Sequence, residues 1–321
     1  MRTRPSAWTA IVARRSVITQ ANPDLRPRHR RRANLLPYAL IGPIALLLLA
    51  ISVYPSLYAI WLAMTDASLL RLARAQFIGI DNFTRLAGDA IFLDSLWRTL
   101  RWDVAVVSSE LLIALPIALF LNLTFRGRGF VRVAMMIPYI TPPAVVALLF
   151  AYMFDGNFGA INDILVRIGV LDRYVSWLSD PTGSFAVTVA AMVWYGQPLM
   201  ALILLAALQT IPQALYDAAN VDGASAWQRF RYITLPHLMP SILFLVLLRL
   251  IWMSNHIDMI FVLTQGGPGF ANYTAAVYSF KLTNQFEIGY ASAVAVALTI
   301  LLVAASAMYV RHLARKVLVS A

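Results

Sequence analysis

The sequence contains no cysteine, which excludes disulfides, thiolate metal sites and a cysteine nucleophile. Histidine is almost as scarce. His29, His237, His256 and His312 are scattered, with no pair at metal-ligand spacing, so no metal site is expected. Also missing are a glycine-rich phosphate loop, a G-x-S-x-G turn and an H-E-x-x-H helix. Any ATP used in this chain's work must therefore be bound by another chain, and the chain itself is read as not an enzyme. Charge is thin as well: 13% of residues, against about a quarter in a soluble domain.

What fills the sequence instead is apolar side chain, 60% of 321 residues, with a mean hydropathy of +0.71. One water-soluble core cannot hide that much apolar surface, so lipid must solvate part of it. Stretches of about 20 apolar residues can cross the bilayer core as helices. Six are expected: Leu35–Met64, Leu100–Leu123, Val133–Phe154, Phe185–Leu208, Ser241–Leu263 and Gly289–Val310. The fold class is thus all-α, a polytopic membrane protein with six transmembrane helices. Pro37, Pro43 and Pro55 should shape the ends of the long first span, and Gly196 with Pro198 should loosen or kink the fourth.

The net charge of +11 would suit nucleic acid or a membrane surface, and its position decides. Nine arginines precede residue 34. With both termini cytoplasmic, the inner segments hold 17 of the 26 Lys and Arg residues, while most acids, from Asp66 to Glu287, fall in the outer loops. Basic residues mark the cytoplasmic side. Nucleic acid is not expected as a partner, because base readout needs a soluble module. Residues 1–34 read as a basic, disordered cytoplasmic tail with anionic lipid as its other reading, and residues 35–318 as the transmembrane domain.

Between spans four and five, residues 209–240 form a cytoplasmic loop whose local physics is legible. Pro212 suits a first helical turn, and Gly223 supplies a left-handed stop for the helix Gln213–Val221. Ser225 and Gln228 form a capping box for a second helix, Ala226–Ile233, which Pro236 and Pro240 should end before span five. Ala218 and Ala219 keep one side thin, and Asp217 adds an anionic handle. On physics alone, this is equally an ordinary amphipathic hairpin.

The loop resembles the signature loop of permeases from binding-protein-dependent ABC importers, which reads Glu-Ala-Ala, two residues, Asp-Gly-Ala, then Phe, Ile and Leu-Pro. The matches are Ala218, Ala219, Asp222, Gly223, Ala224, Phe230, Ile233, Leu235 and Pro236, with Asp217 in place of the usual Glu. Asn34-Leu-Leu-Pro-Tyr, Ile78-Gly-Ile-Asp-Asn-Phe83, Ile137-Pro-Tyr, Trp177-Leu-Ser-Asp-Pro181 and Phe261-Val-Leu-Thr-Gln-Gly-Gly-Pro268 look like the carbohydrate-importer branch. The resemblance implies a permease subunit in a bacterial inner (cytoplasmic) membrane, moving a sugar or polyol. It implies four partners: an ABC ATPase dimer binding ATP and Mg, a second similar permease, an extracytoplasmic solute-binding protein, and the sugar-type substrate. The loop would be the coupling helix seated on the ATPase, and the binding protein would meet the loops after spans one, three and five.

Ionisable groups at membrane depth are functional candidates by default. Glu110 and Arg249 lie at similar depth in spans two and five and are candidates for an interhelical pair. Substrate-path candidates are Trp194, Tyr195 and Gln197 on span four, with Asn255 and Asp258 on span five. Helical spacing would put His256 on the face of Arg249 and Asp258 on the opposite one. Two other classes stay open: an ion-coupled secondary transporter titrating Glu110 or Asp258, and an intramembrane enzyme, for which no paired constellation is present.

Overall fold

The computed structural model describes residues 36–319, so the basic tail 1–34 lies outside it. Among the described residues the chain is helical, with one isolated bridge between Thr65 and Phe77. Among the described residues, five helices are long and apolar enough to cross a membrane, and a bent pair makes a sixth crossing when counted as one.

The described residues divide into two compact units, 36–55 and 56–319. In the first, α1 (Leu36–Leu48) holds Pro43 inside it and is followed by a π-helical turn, Leu49–Val53. Pro55 then sits in the first turn of α2 (Tyr54–Ala63). Pro43 and Pro55 thus do not end the first span, while Pro37 stands at the start of its first described helix. The widened turn takes up the register where Pro55 offers no N–H.

In the second unit, α3 (Asp81–Ala87) follows a turn in which Gly79 takes φ +66°. The motif Ile78–Phe83 has a physical purpose here. Buried Asn82 donates from Nδ2 to Ala63 O (2.9 Å) and Thr65 O (2.8 Å), closing the end of α2 onto α3. Asn82→Ala should leave two buried carbonyls short of a donor and cost about 1–3 kcal/mol. A lowered melting midpoint of the purified protein would register it.

Next comes α4 (Ala90–Asn122), longer than expected because Asp89 caps it well before Leu100. The Asp89 carboxylate accepts from Ile91 N and Phe92 N, and from the hydroxyls of Tyr278 (2.5 Å) and Tyr290 (2.6 Å). Burial pushes this carboxyl up, but the four donors outweigh it and hold it below the ordinary carboxylate range.

The third span departs from expectation. It is α5 (Arg128–Met135), α6 (Ile137–Ile140) and α7 (Pro143–Met153), with an 89° bend after Ile140. Thr141 and Pro142 each precede a proline and are forced extended, with ψ of 132° and 136°, so the helix must break there. Beyond α8 (Ala160–Arg167), Asn162 bridges Asp155 O and Val175 O and accepts from Trp177 Nε1 at 2.9 Å. Asp180 then caps α9 (Pro181–Leu208), accepting from Gly183 N at 2.7 Å.

The fourth span is also corrected. α9 runs unbroken through Gly196 and Pro198 and packs more extensively on α4 than any other helix pair does. The loop between the fourth and fifth spans supplies α10 (Gln213–Val221) and α11 (Ala226–Arg229). Pro236 and Pro240 do not end that second helix. A π-helical turn, Phe230–Thr234, carries it into α12 (Leu235–Ser254), with Pro236 two residues past the turn, as Pro55 is past the first. The fifth span therefore starts in the loop and stops at Ser254, short of Leu263. Asn255–Ile257 interrupt it before α13 (Asp258–Thr264).

After α13 the Gly-Gly-Pro turn uses positive φ at Gln265 and Gly266. Asn272 holds it to α9 by donating to Ser184 Oγ (2.5 Å) and Gly267 O (2.9 Å). The chain ends with α14 (Ala275–Asn284) and α15 (Ile288–Val319) packed on each other.

Candidate functional site

The three helices at the centre, α4, α9 and α12, repeat one arrangement. Val106, Met192 and Met253 belong to one buried apolar cluster, and Ala114, Met200 and Leu245 to another. Four residues from each of these, and so on the same helix face, sit Glu110, Gly196 and Arg249. A single polar layer thus separates two apolar ones. Glu110 is 0% exposed and Arg249 4%. Arg249 Nε donates to Glu110 Oε2 at 2.7 Å, and Nη2 donates to Oε1. Two parallel bonds match the planar guanidinium to the carboxylate. Gly196 makes the room: a Cβ there would press on both Glu110 Oε1 and Arg249 Nη2. Its role is close packing over an ion pair rather than loosening its own helix.

Beside this layer lies a cavity of about 410 Å³ lined by Tyr139, Tyr195, Arg249, Trp252, His256 and the pair Asn255 and Asp258. Three of the five path candidates, Tyr195, Asn255 and Asp258, are brought together here. Trp194 and Gln197 are not among its walls. Trp194 packs against Phe150 with ring centroids 6.0 Å apart, and Gln197 Oε1 is buried without a hydrogen-bond partner. His256 and Asp258 share the cavity instead of facing opposite ways, because α12 ends before them and a helical wheel no longer applies. The rings of Tyr139 and Tyr195 stand 5.5 Å apart at 31°.

Asp103 was not singled out in the sequence. It is buried, accepts from Ser254 Oγ through Oδ2, and leaves Oδ1 unpartnered. The signal was available, since it stands seven residues before Glu110 and so on nearly the same face. Trp102 Nε1 adds a bond to Met253 O at 3.2 Å, so α4 grips the broken end of α12 twice.

The loop hairpin is built from α10, a stop at Gly223 with φ +75°, and α11. Ala224 N donates to Ala219 O and Gly223 N to Asn220 O, closing the helix end. The Ser225–Gln228 capping box is complete. Tyr216 and Thr234 hydroxyls, 2.9 Å apart, tie α10 to the π-helical turn where Phe230 begins. Asp217, Ala218, Asp222 and Pro236 are exposed, while Ala219 and Ala224 are half-buried. Val221 (89% exposed) and Trp227 (69%) present apolar surface on the same hairpin.

Residues 111–319 match the family described as binding-protein-dependent transport system inner membrane component. This chain belongs to that family. The match runs from just after Glu110 to the end of α15, so it takes in the hairpin, the cavity's helices and the broken fifth span. Curated relatives of this inner membrane component extend the likeness toward the N-terminus. The sulfoquinovosyl glycerol transport system permease protein SmoG of Agrobacterium fabrum is 36% identical over 88% of this chain and 91% of its own. The trehalose/maltose transport system permease protein MalF of Thermococcus litoralis is 33% identical over 90% and 97%. Among solved structures, a chain of a bacterial alginate ABC transporter, crystallised with an alginate pentasaccharide-bound periplasmic protein, superposes with a TM-score of 0.75. It is 24% identical and covers 89% of this chain and 96% of that one, which shows a shared fold. The protein is thus a multi-pass permease component of an ABC transport system.

Proposed function

We propose that this chain is the permease subunit of an ATP-driven importer for a sugar or related polyol, working in a bacterial inner membrane with both termini cytoplasmic. What carries the reading is the hairpin: a capped helix pair with a thin alanine edge, exposed apolar side chains and two exposed carboxylates, Asp217 and Asp222. Such a surface on an otherwise basic face suits a protein partner. An ATPase dimer holding ATP and Mg would push on Asp217–Pro236. Because α11 runs on into α12, a push on the hairpin is delivered along the helix to Arg249 and the cavity. A solute-binding protein would deliver cargo from outside, and a second, similar permease would complete the path. Relatives named for sulfoquinovosyl glycerol and trehalose/maltose support a carbohydrate cargo.

Proteoliposomes of the assembled importer separate this from a secondary transporter. Uptake should require ATP on the hairpin side and persist when ion gradients are collapsed. Uptake driven by a gradient without the ATPase would select the other class. Asp217→Lys should lower ATP-driven uptake about tenfold through lost charge complementarity at the docking surface. Wild-type uptake and ATPase retention in that variant would remove Asp217 from the contact.

A further inference from the structure

The cavity has an unequal charge, and that inequality speaks to the cargo. Its one guanidinium, Arg249, is committed: both bonds of its fork go to Glu110, and Nη2 also lies 3.7 Å from Met253 Sδ. The pair contributes no net charge to the space beside it. Asp258 is different. It is exposed, lines the cavity, and makes no ion pair with any described residue. His256 lines the same cavity, and its Nε2 is buried without a hydrogen-bond partner. The other polar groups in the wall are the hydroxyls of Tyr139 and Tyr195, the indole N–H of Trp252 and Asn255, whose Nδ2 is held by Ile251 O at 3.0 Å, leaving its carbonyl oxygen as the free group.

We infer that this chain's cavity takes an uncharged polyol and rejects a sugar carrying a carboxylate or sulfonate. The inference rests on the reading of the cavity as the cargo path. A carboxylate accepts from two neighbouring hydroxyls at once, and the amide oxygen of Asn255 accepts from a third. Tyr139, Tyr195 and Trp252 offer flat faces for the C–H side of a sugar ring. An anionic group would meet Asp258 with no free cation among the cavity's walls to offset it, and like charges at contact distance in a partly desolvated site repel strongly. The relative named for sulfoquinovosyl glycerol, itself a sulfonate, would then differ from this chain in cargo charge despite 36% identity.

The test uses the complete importer in detergent, with no solute-binding protein added, so that binding reports the permease. The probes are radiolabelled pairs matched except for charge: glucosyl glycerol with sulfoquinovosyl glycerol, and maltose with its uronate. At least one neutral member should bind, with its anionic counterpart weaker by about tenfold or more. Asp258→Asn should narrow that gap, and Tyr195→Ala should weaken the neutral probe. If an anionic member binds as tightly as its neutral partner and Tyr195→Ala removes that binding, the charge inference is overturned while the cavity reading stands. If no probe binds, or if Tyr195→Ala leaves all binding unchanged, the cavity is not the cargo path and both fall.

Discussion

Arg249→Met alone should destabilise the protein by about 3–5 kcal/mol, because it leaves the Glu110 carboxylate buried without its cation. Glu110→Leu alone should cost about as much, stranding the guanidinium. The double variant should recover most of the loss, since two apolar side chains of similar volume suit a position that already lies between two apolar clusters. Melting midpoints and yield of monodisperse protein from membranes would read the cycle. Additive losses would mean the two residues act separately. Gly196 extends the test. Gly196→Ala should cost about 1–3 kcal/mol by overpacking, and less in the double variant, where the two nearest of the three atoms the new methyl would meet, Glu110 Oε1 and Arg249 Nη2, have gone. A penalty that stays the same in both backgrounds would place its cause in the helix backbone and not in the ion pair.

That layer shows how far the sequence could be read. Two ionisable residues at similar depth were enough to expect that Glu110 and Arg249 meet. Gly196 was misjudged, because glycine beside Pro198 looks like a weak point until the neighbouring helices are in place. Proline gave opposite outcomes for one reason. At Thr141-Pro142-Pro143 two consecutive restrictions leave no helical solution, and the span breaks by 89°. At Pro55 and Pro236 a single restriction is absorbed by a π-helical turn just before it. Local patterns such as the Ser225–Gln228 capping box and the Gly223 stop were legible because every interaction in them lies within a few residues. The cavity was not, since the polar residues from Ser254 to Asp258 read equally well as positions on a continuous helix, and only the break at Asn255–Ile257 brings Asp258 into one cavity with Tyr195.

Gly223→Val should abolish most ATP-driven uptake, by tenfold or more, while membrane insertion and abundance stay normal. Gly223 holds φ +75°, and a Cβ added there would meet nothing within 4 Å. A Cβ there therefore clashes with nothing inside this chain. The cost is in the backbone itself, about 1–2 kcal/mol for an L-residue held left-handed and more when it is β-branched. That is too little to unfold a polytopic protein. It is enough to move the hairpin, whose two halves are joined here by the bonds Ala224 N to Ala219 O and Gly223 N to Asn220 O. Shifting them would re-aim α10, and with it Asp217 and Ala218, relative to α11. Gly223→Asn supplies the control, since asparagine tolerates the left-handed region while adding a larger side chain than alanine. Uptake should fall in the order Gly, Asn, Ala, Val. If Asn and Val are equally impaired, bulk at a docking surface is responsible and not the conformation of the hinge. Normal uptake in the valine variant would mean that coupling does not depend on the angle between these two helices.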